Sequence, residues 1–294
     1  MAEDTEQNNM ASEGVSQVPP GVAADTAEVQ KQLVDKKEKD DATELVKAML
    51  FAAAFALVIR SLLFEPFNIP SGSMFPTLLV GDYLFVEKWS YGYSMYSFPL
   101  DAIPFKGRIF DKPVTRGDVV VFRQPKLVGV DYIKRIIGLP GDRIQVKEGR
   151  LYINGDMVPR KPVGVESLKD QGRVQMFHKY LETLPNGVEH YIYELGDNEV
   201  LDNTPEYVVP ENHYFAMGDN RDESQDSRVQ SEVGYIPEEN IIGHAVVLFY
   251  SSEEGEDDCQ RVGMFGAIRS VGCKIVELPK NIRFSRIFHR VSAL

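Results

Sequence analysis

Three short segments bring nucleophilic, basic and acidic side chains together with glycine and proline. They are Asn68-Ile-Pro-Ser-Gly-Ser-Met-Phe-Pro-Thr77, Tyr132-Ile-Lys-Arg-Ile-Ile-Gly-Leu-Pro-Gly-Asp142 and Gly218-Asp-Asn-Arg-Asp-Glu-Ser-Gln-Asp-Ser-Arg228. A serine hydroxyl is a weak nucleophile until a base takes its proton. Lysine can be that base only when neutral, and its free pKa is about 10.4. Burial among apolar groups disfavours the ammonium and lowers that value, and Lys134 has Ile133, Ile136 and Ile137 close in sequence. A pKa of roughly 7–8 would suit a general base, at a cost on the order of 4 kcal/mol. Ser73 and Lys134 stand 61 positions apart, so only the fold can join them.

Taken singly, each segment has a plain structural explanation. Pro-Ser-Gly-Ser is common turn composition. Lys134 fits the solvent face of a strand, and the acidic third segment fits a solvated loop. That segment lacks the spacing and terminal Glu of an EF-hand calcium loop. Each nonetheless ends an apolar strand, where a rigid scaffold presents functional side chains.

The elements that must position them read as β. Strand signals recur at 83–86, 118–122, 132–137, 143–146, 150–153, 213–217 and 245–250, each short, rich in β-branched or aromatic residues and bounded by turn residues. Asn154-Gly155 marks a two-residue hairpin, and Glu148-Gly149 another tight turn. The expectation is a mainly β fold with an antiparallel core over 65–158 and 211–294. Residues 159–210, more polar and less regular, form a smaller inserted lobe.

Residues 45–64 could span a bilayer. The uncharged centre, 48–59, is too short, but the whole stretch gives about 30 Å of helix. Lys47 and Arg60 lie near its ends, where long cationic side chains reach headgroups. A cleaved secretory signal would start nearer the N-terminus, and apolar residues on every side argue against an interfacial helix. A buried core helix is the other reading. Before the anchor, residues 1–41 hold ten acids and four lysines, so 1–44 reads as a disordered acidic tail. Five lysines (Lys31, Lys36, Lys37, Lys39, Lys47) precede the anchor centre, whereas only Arg60 follows before Lys88. The positive-inside rule then places the N-terminus in the cytoplasm and the remainder outside.

The net charge of -12 argues against a nucleic-acid partner. The five histidines are scattered without metal-ligand spacing, and Cys259 and Cys273 form no Cys-x-x-Cys, so no metal or other cofactor is expected. In an oxidising compartment the two cysteines could close a disulfide.

Together and in order, the three segments resemble the serine, Lys-Arg and Gly-Asp-Asn-Arg-Asp boxes of the type I (leader) signal peptidase family. Gly81-Asp82-Tyr83, Val86-Glu87-Lys88, Gly234-Tyr-Ile-Pro-Glu238 and Ile242-Gly-His-Ala245 are similar to it as well. The resemblance covers the anchor, most of 64–155 and about 208–250, and returns weakly at 282–286. It implies a membrane-bound serine endopeptidase of the Ser–Lys type that removes signal peptides after small residues at Ala-x-Ala sites. Its partners would be exported preproteins and membrane lipid, and its place the bacterial cytoplasmic membrane with a periplasmic catalytic domain.

Residue by residue, Ser73 matches the family's nucleophile and Lys134 its general base. Ser71, with the Ser73 N–H, matches the oxyanion donor, and Ser224 the serine that orients the lysine. Arg135 with Asp219, and Asp226 with Arg228, match supporting ion pairs. Phe67, Ile69, Met74, Leu78, Val121 and Ile133 match positions that form shallow substrate pockets, though some of them could equally be core. Phe284 stands where many members carry Trp, and residues 253–272 do not align with the family. Trp89, Tyr91, Tyr93 and Tyr96 are candidates for the bilayer surface. A self-cleaving repressor with the same dyad would carry a DNA-binding helix pair in place of the anchor. An inactive scaffold would not need Ser73, Lys134 and Ser224 all intact. A peptidase dedicated to one substrate remains a further alternative.

Overall fold

The computed structural model describes residues 20–98, 105–170, 173–253 and 281–291, with the backbone alone at 20–40, 169, 170 and 173. Residues 1–19 and both cysteines lie outside the described residues. The chain divides into two compact units, residues 1–56 and 57–294.

One helix, α1 (Pro20–Leu62), runs for 43 residues. The sequence reading has a disordered tail through residue 44, and here the backbone is helical from Pro20. Residues 21–40 hold Ala, Lys, Glu and Gln at 11 of their 20 positions, which are good helix formers, and contain no further proline. Pro20 itself suits a helix start, where its missing N–H costs nothing. Within α1, the 22 residues Asp41–Leu62 are long and apolar enough to cross a membrane, about 33 Å at 1.5 Å per residue. The anchor stops short of residue 64, because Phe64 already belongs to the first strand.

The strands are β1 (Phe64–Asn68), β2 (Asp82–Glu87), β3 (Val119–Arg123), β4 (Asp131–Gly138), β5 (Arg143–Lys147), β6 (Arg150–Ile153), β7 (Asp156–Met157), β8 (Arg160–Asp170), β9 (Arg173–Thr183), β10 (Glu189–Glu194), β11 (Tyr207–Val208), β12 (His213–Met217), β13 (Ile236–Pro237) and β14 (Ile241–Ser251). A seven-stranded sheet runs β1-β2-β14-β3-β4-β12-β13, a three-stranded sheet β10-β9-β8, and a four-stranded sheet β11-β5-β6-β7. The ladders of the large sheet are antiparallel. Asn154 and Gly155, both at positive φ, make the turn between β6 and β7, and Glu148 and Gly149 make the one between β5 and β6. Positive φ at both central residues matches the right-handed twist of the flanking strands.

Core side chains lie on both faces of the large sheet. Val119, Val121 and Ile133 pack with Leu84, Val86 and Leu248. Val120, Phe122 and Ile136 join a second cluster with Tyr214 and Ile236. Burial on two sides is why β3 reads as an unbroken apolar run and not as alternation. The lobe at 159–210 is more regular than its sequence suggests, since β8 and β9 form a ribbon of two 11-residue strands. Only one of its faces is packed: Phe177 is buried against Phe75 and Tyr193, while Val165, Val174 and Met176 are exposed. Apolar residues on the open face obscure the alternation that marks a strand. β11, at the end of this segment, leaves the lobe and pairs with β5.

Candidate active site

From β1 the chain passes into a short 3-10 turn, Gly72–Met74. Met74 and Leu78 are fully buried and pin this turn to the core, leaving Ser73 half-exposed above it. Lys134 comes from the middle of β4, opposite Val120. Its Nζ lies 2.6 Å from Ser73 Oγ. Burial, partly opposed by Asp226 and Asp219 and reinforced by Arg228, brings the amine down from 10.5 to about 8. The two groups foreseen as a dyad therefore meet, and the shift has the cause expected from the isoleucines. Ser71 is exposed beside them, with Oγ 3.4 Å from Ser73 Oγ.

The third segment packs on the serine turn from below. Asn220 donates its backbone N–H to Ser73 O at 3.2 Å and its side-chain amide to Gly72 O at 3.1 Å. Gly218 approaches so closely that a Cβ there would sit 2.4 Å from Ser73 O. Arg135 grips Asp219 through two bonds of 2.8 and 2.7 Å and also donates to Gly117 O. Burial would raise the Asp219 carboxyl, but Arg135 beside it holds it below the ordinary range. Asp226 is likewise held down by Arg228, at 2.9 Å on both oxygens, and accepts the Gly218 N–H. Both ion pairs expected from the sequence form, and both are buried.

Ser224 departs from expectation. It is buried, but its Oγ makes no hydrogen bond, so the bond to the lysine amine is not formed. The hydroxyl is turned towards Gly218, at 2.2 Å from where a Cβ would stand. The substrate-pocket positions divide between cleft and core. A cleft of about 560 Å³ runs past Ser73 and Lys134, and Phe67 and Ile133 line it. Ile69, Met74, Leu78 and Val121 are buried in the core cluster beneath, to which Ile133 also belongs and against which Phe67 packs.

Several supporting residues escaped the sequence reading. Thr77 donates to Asp219 Oδ2 at 2.5 Å. Arg221 pairs with buried Glu182, with one bond at 2.9 Å, and His190 Nε2 lies 3.3 Å from Glu182 and 3.9 Å from Asp219. Burial and the neighbouring Arg135 lower the His190 pKa, favouring its neutral form. Glu182 and His190 come from the inserted lobe, where no motif marked them; Arg221 stood in the third segment unassigned. No group of three or more metal-ligating side chains is found among the described residues.

A serine hydroxyl held against a buried amine of lowered pKa, beside a cleft in an antiparallel β-fold, fits the class of serine hydrolases. Residues 42–250 match the family described as signal peptidase, peptidase S26. A signal peptidase I of Rickettsia typhi is 44% identical over 246 residues, 81% of this chain and 89% of that protein. One of Rickettsia canadensis is 42% identical over 253 residues, 83% and 92% of the two chains. The chain belongs to the signal peptidase I family and is a serine endopeptidase, with an N-terminal helix that fits a membrane anchor.

Proposed function

We propose that this protein cuts signal peptides from exported preproteins after small residues, at Ala-x-Ala sites, with Ser73 as nucleophile and Lys134 as general base. The observation that carries this reading is the 2.6 Å contact between Ser73 Oγ and a buried Nζ of pKa about 8. Neutral Lys134 takes the Ser73 proton as Oγ attacks the carbonyl, then passes it to the leaving amine. The Ser71 hydroxyl and the Ser73 N–H stabilise the oxyanion, about 3 kcal/mol for each donor. Water, activated by the same amine, then releases the acyl group.

β1 is an edge strand of the large sheet, and Phe67 and Asn68 line the cleft. An extended substrate can add to that edge through main-chain hydrogen bonds. Pairing with Asp219 neutralises Arg135, whose charge would otherwise push the adjacent Lys134 further down. The membrane is the bacterial cytoplasmic membrane, with residues from β1 onward on its outer side, as the lysine asymmetry around α1 supports. Trp89 packs edge-on against Phe64 at 4.7 Å, and Phe64 meets Phe85, giving an aromatic face suited to a bilayer surface. Tyr91 has no part in that face: it is buried, with its hydroxyl on Asp118.

The test is cleavage of a preprotein with an Ala-x-Ala site by purified full-length protein in detergent. Wild type should cut after the second Ala, while Ser73→Ala and Lys134→Ala stay folded and inactive. Near-normal activity of Lys134→Ala would show that another base acts.

A further inference from the structure

We propose that Glu223 is a specificity-determining residue that favours cationic over acidic side chains just after the cut; this rests on the function proposed above. Two acids line the cleft, Asp131 and Glu223. Asp131 is already paired with Arg123 at 2.7 Å. Glu223 has no cationic partner among the described residues. Its carboxylate is held by two neutral amides instead: Gln175 Nε2 on β9 donates at 2.7 Å to one oxygen, and Asn220 Nδ2 donates at 3.2 Å to the other. Amide donors fix a carboxylate in place without cancelling its charge. A charge so held needs little reorganisation to meet a ligand and projects its field into the cleft.

Its position is tied to the reacting centre. The Asn220 amide that holds Glu223 also holds Gly72 O, and the Asn220 N–H holds Ser73 O. On the approach to Ser73 the peptide has β1 and the Val130–Lys134 wall to pair with. We place the residues past the cut, beyond β1, against the segment that carries Glu223, which lines the same cleft as Ser73. Small side chains before the cut offer no charge to read, whereas the residues after it are unrestricted by the pockets.

The experiment compares kcat/KM of full-length enzyme for three peptides that share one Ala-x-Ala site and carry Lys, Ala or Glu at the first two positions after it. Wild type should prefer Lys over Glu by about fivefold to tenfold, with the preference shrinking at 1 M salt, where screening acts within about 3 Å. Glu223→Gln should bring the ratio near one, and Glu223→Lys should invert it. Gln175→Ala, which frees one oxygen, should reduce the ratio and serves if Glu223 variants fold poorly. An equal Lys-to-Glu ratio in wild type and Glu223→Gln overturns the inference, and so does a salt-insensitive wild-type ratio. A second peptide set, with Lys, Ala or Glu at the middle position of the Ala-x-Ala site, tests the placement: a Glu223-dependent ratio found there and not after the cut overturns it. If wild type fails to cut even the Ala peptide, the proposed function falls and this inference with it; cutting with an unchanged ratio removes the inference alone.

Discussion

Replacing Lys134 by Met should make the protein more stable while destroying its activity. The two chains are close in length and both apolar along the stem, but only lysine brings an ammonium into a site where it is 4% exposed. Its pKa of about 8, against 10.5 in the open, corresponds to a folding penalty on the order of 3 kcal/mol when the amine is protonated. The folded pKa lies below the unfolded one, so between about 8 and 10.5 the unfolded chain binds more protons. Stability therefore rises with pH across that window, and the whole penalty is present below about 8. Urea unfolding of full-length protein in detergent should show Lys134→Met more stable by about 3 kcal/mol at pH 7, with the gap closing towards pH 10.5. In wild type, kcat/KM should fall tenfold per pH unit below an apparent pKa of about 8. Equal stability of the two proteins at pH 7, or a gap that does not change with pH, would refute the claim that burial of the amine sets its basicity.

Other consequences follow from the neighbouring groups. Asp219→Ala leaves the Arg135 guanidinium buried without its partner and should cost about 3–5 kcal/mol in urea unfolding; Asp219→Asn, which keeps an acceptor, should cost less. Gly218→Ala forces apart the third segment and the serine turn. A displacement of about 1 Å at the nucleophile should lower kcat/KM on the order of 100-fold, with the circular dichroism spectrum unchanged. Trp89 is the single tryptophan, so its fluorescence in vesicles should be quenched by brominated lipids, and an unquenched signal would remove the aromatic face from the bilayer.

The strands that carry the site were readable because each local rule agreed with the fold. Asn154-Gly155 turns where such a pair should turn, and β3, β4 and β14 lie where β-branched runs stand. The inserted lobe was less legible. Val165, Val174 and Met176 face outwards on β8 and β9, so the residue pattern no longer separated inside from outside. The helical backbone ahead of the anchor is not legible in the sequence, because its acidic composition argues for disorder while its Ala, Lys, Glu and Gln are good helix formers. Ile69, Met74, Leu78 and Val121 are apolar whether they line a pocket or fill a core, and only the packing distinguishes the two.

By itself the sequence determined the family, the mainly antiparallel β class and a segment apolar enough to cross a membrane, and it singled out Ser73, Lys134, Arg135, Asp219, Asp226 and Arg228 as candidates. These follow from residue types and from motifs of contiguous residues, which survive without coordinates. Tertiary structure decided that Nζ reaches Oγ, that burial brings the amine down to about 8, and that Ser224 turns towards Gly218. It also decided that His190 of the lobe lies 3.3 Å from Glu182 and 3.9 Å from Asp219, and that Glu223 lines the cleft without a cation among the described residues. Such facts depend on distance and burial between residues far apart in the chain, and neither quantity is written in the order of the residues.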